Sequence, residues 1–514
     1  MHIFPKIMYP HDENQLEFFL PFGGQLNPNN RWVKLAKLIP WADFEIQYSN
    51  CLKGEGEGPP AKSVRVALGA LIIKERLGTS DRETVEQIRE NPYLQYFLGF
   101  KEYRDKAPFH HTSFVNFRKR LSRDMIAEIN EAIALKEKPE KQKSIKDDDD
   151  SDSDGAPPGN KGKLLLDATC TPADITFPTD LKLLNKAREK SEELIDILHE
   201  PYIGIQKKPR TYRKQARKKF LAAAKSKRLS KGKRRKAIRK QLGYLARNLK
   251  AIKQLSKEKY ALFALDKRQY KNLLVINEVY RQQKWMYDRH ENKINDRIVS
   301  ISQPHVRPIK RGKAGASTEF GAKISASLVD GYCFLDRLDW DNYNESGDLI
   351  SQVYAYKKRF GFYPSSVHAD KIYRNRNNIK FCKKHEIRLS GPPLGRPPKD
   401  SSKRMASRKM ARQDEIDRIP IEGKFGQGKR RFSLSRIMCK LAKTSETSIA
   451  VVFLVMNLEK LLKAALLNFF VCFGPFFESF SVIKTANGYA WAPDELHLLD
   501  CYGAKSRRKS LLDI

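Results

Sequence analysis

The chain of 514 residues has few features of a secreted or membrane protein. Its seven cysteines are odd in number, are scattered from Cys51 to Cys501 and never form a CxxC pair, which argues against a disulfide framework and a structural zinc site. Its first residues show no basic segment followed by an apolar run, the pattern of a secretory signal. The most apolar stretch, 449–477, is interrupted by three charged residues, whereas a membrane span needs about 20 consecutive apolar residues. We therefore expect a protein of the reducing cytoplasm with no membrane partner.

Acidic side chains are also scarce relative to basic ones. Against 98 Lys and Arg stand only 60 Asp and Glu, so the formal net charge is 98 − 60 = +38. An excess of this size indicates a polyanionic partner, with nucleic acid first and an anionic membrane surface second. A content of 40% hydrophobic and 31% charged residues excludes both a membrane bundle and a wholly disordered chain. At about 100–200 residues per domain, the length predicts about three to five domains.

Residues 1–140 predict an all-helical N-terminal domain. Ser63 is placed to cap a helix whose apolar residues have helical spacing, and Gly78 ends it. Ser80 begins a capping box for the next helix. A further helix carries three consecutive cations, Arg118, Lys119 and Arg120. Short capped helices with a basic last one are typical of a helix-turn-helix DNA reader, and the alternative is an ordinary helical packing or dimerisation domain.

A linker and a strongly basic insert follow. Residues 141–162 are rich in Asp, Pro and Gly and cannot build a core. Within the predicted helical insertion, 181–296, the segment from Lys207 to Lys250 holds 20 Lys or Arg and no acid. A heptad seam runs through its second half and comprises Ile238, Leu242, Leu245, Leu249 and Ile252. Such a helix can hold a hairpin partner through the seam and DNA phosphates through its surface, or it can be a solvated basic helix pair.

The densest cations of the insert are Lys233, Arg234, Arg235 and Lys236. Many of the insert's cations are lysines at irregular spacing, a poor match to bidentate base reading. We therefore expect this surface to contact DNA phosphates without regard to base sequence.

The remaining segments, 163–180 and 297–450, predict one α/β domain that the insert interrupts, with a C-terminal helix and tail at 451–514. Strand patterns are expected at 164–166, near 298–302, at 320–328, at 332–338, around Val367 and at 387–390, and helices at 349–360, 375–385 and in the last part of the domain. We expect two or three strands between the insert and the helix at 349–360, and the predicted order without the insert is β-β-β-α-β-α-β-α.

Three acids occupy special places in that order. Asp167 ends the first strand, Asp370 ends the strand after the first core helix, and Glu422 opens the last helix. Acids at neighbouring strand ends can converge with one from a packed helix, and their mutual repulsion calls for divalent cations. The residues alone leave alternatives open, because four other acids are similarly placed: Asp174, Asp180, Glu319 and Asp330.

Several blocks then resemble a known family. KLLLDAT, VHADKIYRNRNN and RIPIEGKFGQGKRR are similar to the three catalytic blocks of bacterial insertion-sequence DDE transposases. The segments RPIKRGKAGASTEFG and DWDNYNE and the helical stretch from Arg65 to Phe100 also look like this group. The resemblance covers about residues 20–135 and 163–460. It implies an RNase H-like catalytic domain, a mixed sheet flanked by helices, and so an α/β fold class.

The resemblance also implies roles for individual residues. Asp167, Asp370 and Glu422 would be catalytic and would bind two Mg²⁺ ions, for which Mn²⁺ can substitute. Arg418 and Lys429, four before and seven after Glu422, would hold DNA phosphates. The Tyr of the family's signature is replaced by Glu415, and Pro420 leads us to expect that Arg418 precedes the helix.

The implied function is that of a transposase. Such an enzyme cuts double-stranded DNA at terminal inverted repeats and joins the freed 3′-hydroxyls to target DNA, and its relatives act as dimers or higher multimers. Two alternatives are a metal-dependent nuclease without strand transfer and a catalytically silent DNA-binding protein descended from a transposase.

Overall fold

The computed structural model describes residues 21–52, 60–135, 159–226, 228–257, 261–310, 318–392, 401–478, 480–485 and 488–493. The chain divides into two compact units, Met1–Asn457 and Leu458–Ile514. The predicted linker lies largely outside the described residues, as do 311–317 and 393–400.

The N-terminal region is helical, as predicted. Its helices are α1 (Arg31–Leu38), α2 (Trp41–Asn50), α3 (Val64–Leu77), α4 (Asp81–Glu90), α5 (Pro92–Phe97), α6 (Ser113–Arg120) and α7 (Arg123–Leu135). The predicted caps of α3 and α4 are confirmed: the Ser63 side chain accepts from the Val66 N–H, and that of Ser80 from the Glu83 N–H. Gly78 ends α3 at φ 69°, a left-handed conformation that glycine adopts without strain.

A mixed sheet forms the centre of the first unit. Its strands are β1 (Lys163–Pro172), β2 (Arg307–Lys310), β3 (Thr318–Val329), β4 (Tyr332–Asp339), β5 (Ser366–His368) and β6 (Arg388–Leu389). The order is β2-β3-β1-β5-β6, and β4 also pairs with β3. The β1 strand is antiparallel to β3 and parallel to β5.

Four helices follow or separate these strands: α12 (Leu349–Phe360), α13 (Arg376–Lys384), α14 (Ser401–Arg431) and α15 (Ala442–Glu478). Without the insert the observed order up to α14 is β-β-β-β-α-β-α-β-α, which has one more strand before the first helix than the predicted order and matches it from α12 onwards. The predicted α/β class is confirmed. One expected strand is wrong: residues 298–302 are irregular, and the next strand begins at Arg307.

The insert between β1 and β2 is a bundle of four helices. These are α8 (Asp180–His199), α9 (Arg213–Ala224), α10 (Lys231–Leu255) and α11 (Lys267–Arg289). The predicted seam is confirmed, since Leu242, Leu245 and Ile252 are buried in the bundle core together with residues of α8 and α11. Apolar burial along one stripe therefore holds a helix whose other faces are cationic.

A buried polar joint links α7 to the sheet. The Asp336 carboxylate on β4 is 3.2 Å from the Arg359 guanidinium of α12, which also contacts Glu131 of α7 at 2.6 Å. Burial raises the pKa of Asp336, and the neighbouring Arg359 opposes that shift. Nearby, the Asn130 side chain donates to the Cys333 carbonyl at 3.1 Å.

The second unit contains residues 458–478 of α15 and a hairpin of β7 (Phe480–Thr485) and β8 (Gly488–Pro493). The hairpin is antiparallel, with Val482 opposite Trp491. Across the described ranges of the whole chain, no helix is both long enough and apolar enough to cross a bilayer.

Candidate active site on one face of the sheet

The strand register brings the segments that carry Asp167 and Asp370 side by side. Leu165 of β1 pairs with His368 of β5 in the parallel ladder. Asp167 lies two residues beyond Leu165, and Asp370 lies two residues beyond His368. Because side chains alternate with a period of two within a strand, Asp167 points to the same side of the sheet as Leu165. Asp370 lies just beyond the end of β5 and begins the helical turn Lys371–Tyr373. The two acids, which lie 203 residues apart in the chain (370 − 167), thus each follow a residue of the same pair in adjoining strands.

The position of Asp167 differs from the prediction in one respect. The first strand continues to Pro172, so Asp167 lies in the middle of β1 and not at its end. Its partner across the antiparallel ladder is Ala326 of β3.

Helix α14 crosses the face of the sheet that carries Asp167 and His368. The imidazole Nδ1 of His368 is 3.5 Å from the Asp414 carboxylate of α14. Further along, the Lys429 Nζ donates to the Thr169 hydroxyl at 2.9 Å, and Thr169 lies on the same face as Asp167. Glu422 is about two helical turns from each of these contacts, so α14 carries it across the same face.

The third acid is placed differently from the sequence expectation. Glu422 does not open a helix, because α14 begins at Ser401. Pro420 lies inside α14, so the expectation that Arg418 precedes the helix is also wrong. A proline there removes one backbone hydrogen bond, and the helix continues through it. Arg418 and Glu422 therefore share one helical face and form an i,i+4 ion pair at 2.8 Å.

The glycines of α14 do not share one role. A Cβ on Gly428 would lie 3.0 Å from the Leu434 side chain and 3.4 Å from the Met456 sulfur, so Gly428 permits close packing. A Cβ on Gly423 would meet no described atom within 4 Å, which leaves that helix surface open.

Asp167 has an unusual electrostatic environment. Burial raises the pKa of its carboxyl to about 6. The Ala168 N–H, which donates to the carboxylate at 2.8 Å, and the positive charge of Arg418 lower it, whereas the negative charges of Glu422 and Glu345 raise it further. A desolvated carboxylate in the field of two others is stabilised by a nearby cation.

The three acids do not form a closed cluster. Asp370 is exposed, and its carboxylate accepts from the Lys371 N–H at 2.6 Å. The Glu422 side chain, 53% exposed, is paired with Arg418. Within the described ranges, no group of three or more His, Cys, Asp or Glu side chains is close enough to hold a metal ion. The donors nonetheless suit Mg²⁺, because all three are carboxylates and Mg²⁺ prefers oxygen ligands.

Sequence reasoning missed two groups near Asp167. Glu345 follows β4, acts on the Asp167 pKa and is itself paired with the Lys323 ammonium at 2.8 Å. Tyr373 is completely buried three residues after Asp370, and its hydroxyl has no hydrogen-bond partner among the described residues. Glu345 lies in the DWDNYNE segment and Tyr373 in the VHADKIYRNRNN segment, so the family resemblance of these two segments was the available signal.

The predicted DNA-contacting cations of α6 divide into different classes. Arg118 is only 5% exposed and holds both oxygens of Asp81 at 2.9 and 2.5 Å. It therefore fixes α6 to α4, and little of its side chain is exposed. Lys119 is exposed and Arg120 half-buried.

The four predicted cations of the insert also differ. Lys233, Arg234 and Lys236 are exposed on α10. Arg235 donates to the Tyr287 carbonyl at 2.8 Å and stacks 4.0 Å from its ring centroid, so it fastens α10 to α11. Among the described residues from Lys214 to Lys250, no Lys or Arg forms an ion pair with an acid, which leaves this surface strongly positive.

Comparison with known proteins agrees with this geometry. Residues 367–459, which include Asp370 and α14, match the family described as Transposase DDE domain. Residues 21–120 match the family described as Transposase domain (DUF772). The described fold and both matches define a transposase.

A curated relative extends the comparison. A protein of Rhizobium meliloti, "Uncharacterized protein ORF8 in nfe locus", is 30% identical over 162 residues, which are 32% of this chain and 71% of the relative. The chain belongs to the insertion-sequence DDE transposases. No solved structure matches it significantly.

Proposed function

We propose that this protein cuts double-stranded DNA at the ends of an insertion sequence and joins the freed 3′-hydroxyls to target DNA by two-metal chemistry. The observation that carries the proposal is the parallel register of β1 and β5, because it brings the strand that contains Asp167 beside the strand that precedes Asp370, on a sheet that α14 crosses. The strand and helix order supports an RNase H-like catalytic domain. A resemblance to DDE transposases in the same blocks adds support.

Different residues of the chain would bind the metal ions and the DNA phosphates. Asp167 and Asp370 would hold the ions, and Glu422 would complete the second site after it leaves Arg418. Two bound Mg²⁺ ions, or Mn²⁺ in their place, activate a water or 3′-hydroxyl and stabilise the leaving oxygen. Arg418 and Lys429 would bind phosphates, and the bond from Lys429 to Thr169 positions its ammonium two residues from Asp167.

The insert would bind DNA through the exposed cations of α10. Replacing Lys233, Arg234 and Lys236 with Gln should weaken binding to all sequences alike. The slope of log K against log salt should become shallower by about 0.9 for each phosphate that the variant no longer binds. Weaker binding of the terminal repeat alone would contradict base-independent binding. Arg235→Gln is the contrasting variant, because it should mainly loosen the packing of α10 on α11.

A strand-transfer assay tests the reaction. The substrate is a duplex with the inverted repeats that flank the gene, incubated with Mg²⁺, a target plasmid and the full-length protein. The proposal predicts both cut ends and joined products, while a nuclease would give only cut ends. Binding without either product would identify a catalytically silent DNA-binding protein.

Joining two ends requires them to be held together, so we propose that the active form is a homodimer or higher multimer on DNA in the bacterial cytoplasm. Sedimentation of the protein with and without the terminal repeat tests this assembly. A complex with one protein chain that still joins paired ends would refute it.

A further inference from the structure

A basic cleft lies between the N-terminal helices and the end of α14. It has a volume of about 930 Å³ and is bordered by the α3–α4 junction, by α6 and by the segment 429–441. The cations that line it are Lys74, Arg82, Arg118, Lys429, Arg430, Arg431 and Lys440. The acids that line it are Glu75 and Asp81, so its formal charge is 7 − 2 = +5.

Both acids of the cleft are occupied by groups of the protein itself. The Glu75 carboxylate accepts from the Ser433 N–H at 2.6 Å and from its hydroxyl. The Asp81 carboxylate is held by Arg118. Neither acid is therefore positioned to neutralise the exposed cations Arg82, Arg430 and Lys440. A polyanion is the ligand that such a surface attracts.

The cleft connects directly with the candidate active site. Lys429 lines it and also contacts Thr169, two residues from Asp167 on the same face of β1. At its other end, Lys440 also borders a second cavity of about 300 Å³, which is lined by three more cations, Lys182, Lys186 and Arg436. Arg436 is paired with Asp174 of the same cavity. Positive charge thus extends from the carboxylates to the base of the insert.

Apolar side chains are exposed in the same cleft. Met438 is 61% exposed, and Leu441 and Val115 are also exposed on its walls. The combination of cations and small apolar surfaces matches a sugar-phosphate backbone, in which charged phosphates alternate with apolar deoxyribose rings.

We propose that this cleft binds the backbone of the DNA strand that enters the active site. The N-terminal helices then contribute one wall of a shared site, with Arg82 on one side and Arg430 and Lys440 on the other. This inference rests on the proposed function, since it assigns a surface to the same DNA substrate. It also gives Arg118 a role, which is to fix the α4–α6 wall of the cleft.

Photo-crosslinking locates the strand. A benzophenone amino acid is placed at Met438 in full-length protein that also carries Asp370→Asn, so that binding is observed without catalysis. The control position is Tyr354 of α12, which is 49% exposed and does not border the cleft. The probes are a duplex carrying the flanking inverted repeat and a duplex of shuffled sequence. We expect crosslinks from Met438 within a few nucleotides of the cleavage position, and none from Tyr354.

Charge removal provides the second measurement. Arg82, Arg430 and Lys440 are changed together to Gln, and the matched control changes the exposed lysines Lys358, Lys383 and Lys384 of α12 and α13. The cleft variant should reduce the salt slope by about 2.7, since each bound phosphate contributes about 0.9. The control variant should change it much less.

The outcomes separate this inference from the proposed function. Normal DNA affinity and strand transfer, with no Met438 crosslink and an unchanged salt slope in the cleft variant, would overturn the cleft assignment alone. Met438 crosslinks at the repeat end, together with no strand transfer by the protein that keeps Asp370, would support the cleft and refute the transposition proposal.

Discussion

The substitution Asp370→Asn gives the sharpest test of the active site. Asp370 is exposed, and its side chain makes one local hydrogen bond, accepted from the Lys371 N–H at 2.6 Å. An asparagine oxygen can accept the same bond, and the side-chain volume is almost unchanged. The unfolding free energy should therefore change by less than about 0.5 kcal/mol, as for other surface substitutions.

The effect on chemistry should be much larger. The change removes one anionic ligand at the proposed two-metal site, and Mg²⁺ is held mainly by charge. If about 4 kcal/mol of transition-state stabilisation is removed, the rate falls about a thousandfold, because each 1.36 kcal/mol is a factor of ten. DNA affinity should hold or rise slightly, since the net charge increases by one from +38.

The assay follows cleavage and strand transfer in single-turnover conditions, with DNA binding measured on the same preparations. Asp288→Asn is the matched control, because Asp288 is a half-exposed acid of α11 whose partner is the exposed Lys284 at 2.7 Å. Asp180 is unsuitable, since it anchors Arg297 and Gln283. Near-normal strand transfer by Asp370→Asn would refute the assignment of this acid, and an equal reduction in Asp288→Asn would show that the effect is not local.

Three further predictions concern the fold around the site. Asp336→Asn leaves the buried Arg359 without its main counter-charge, so the free energy of unfolding in urea should fall by about 3–5 kcal/mol. A fall of less than about 1 kcal/mol would contradict a stabilising role for this buried ion pair. Arg118→Gln should lower the free energy of unfolding by about 3 kcal/mol because Arg118 is buried against Asp81, whereas Lys119→Gln should lower it by less than about 0.5 kcal/mol. Equal losses for the two variants would contradict the structural role of Arg118. Burial lowers the pKa of His305 in the folded protein from 6.5 to about 4, so its contribution to stability is present above pH 6.5 and is lost as the pH falls towards 4. His305→Gln should therefore reduce the loss of stability in acid. Identical profiles of unfolding free energy against pH for the variant and the unchanged protein would contradict the lowered pKa.

Local patterns predicted the elements well. The caps of α3 and α4, the seam of α10 and the alternating residues of β3 all appear where the sequence places them. Each of these signals depends on backbone geometry within a few residues, so the competing energies are local. The sequence also predicted the positive charge of the insert, because no acid lies between Lys207 and Lys250.

The sequence did not predict which individual cations would be buried and which exposed. Arg118 and Arg235 stand in basic runs beside exposed neighbours, but the first is buried against Asp81 and the second stacks on Tyr287. A run of cations specifies charge, whereas burial of one member depends on which helix packs against it. The prediction that the last helix begins near Glu422 was wrong for a related reason. Pro420 is tolerated inside α14, which packs along the sheet.

The sequence by itself determined the alternation of strands and helices, the basic insert and, through its family blocks, the three candidate acids. Only the tertiary structure decided that β1, which contains Asp167, pairs in parallel with β5, which precedes Asp370. It also decided that Glu422 is paired with Arg418 and that Lys429 joins a basic cleft to the site. These relations connect residues separated by a long insert or by whole helices. Their free energy comes from contacts that form only after the chain has closed those loops, and no local pattern records which distant partner each side chain will meet.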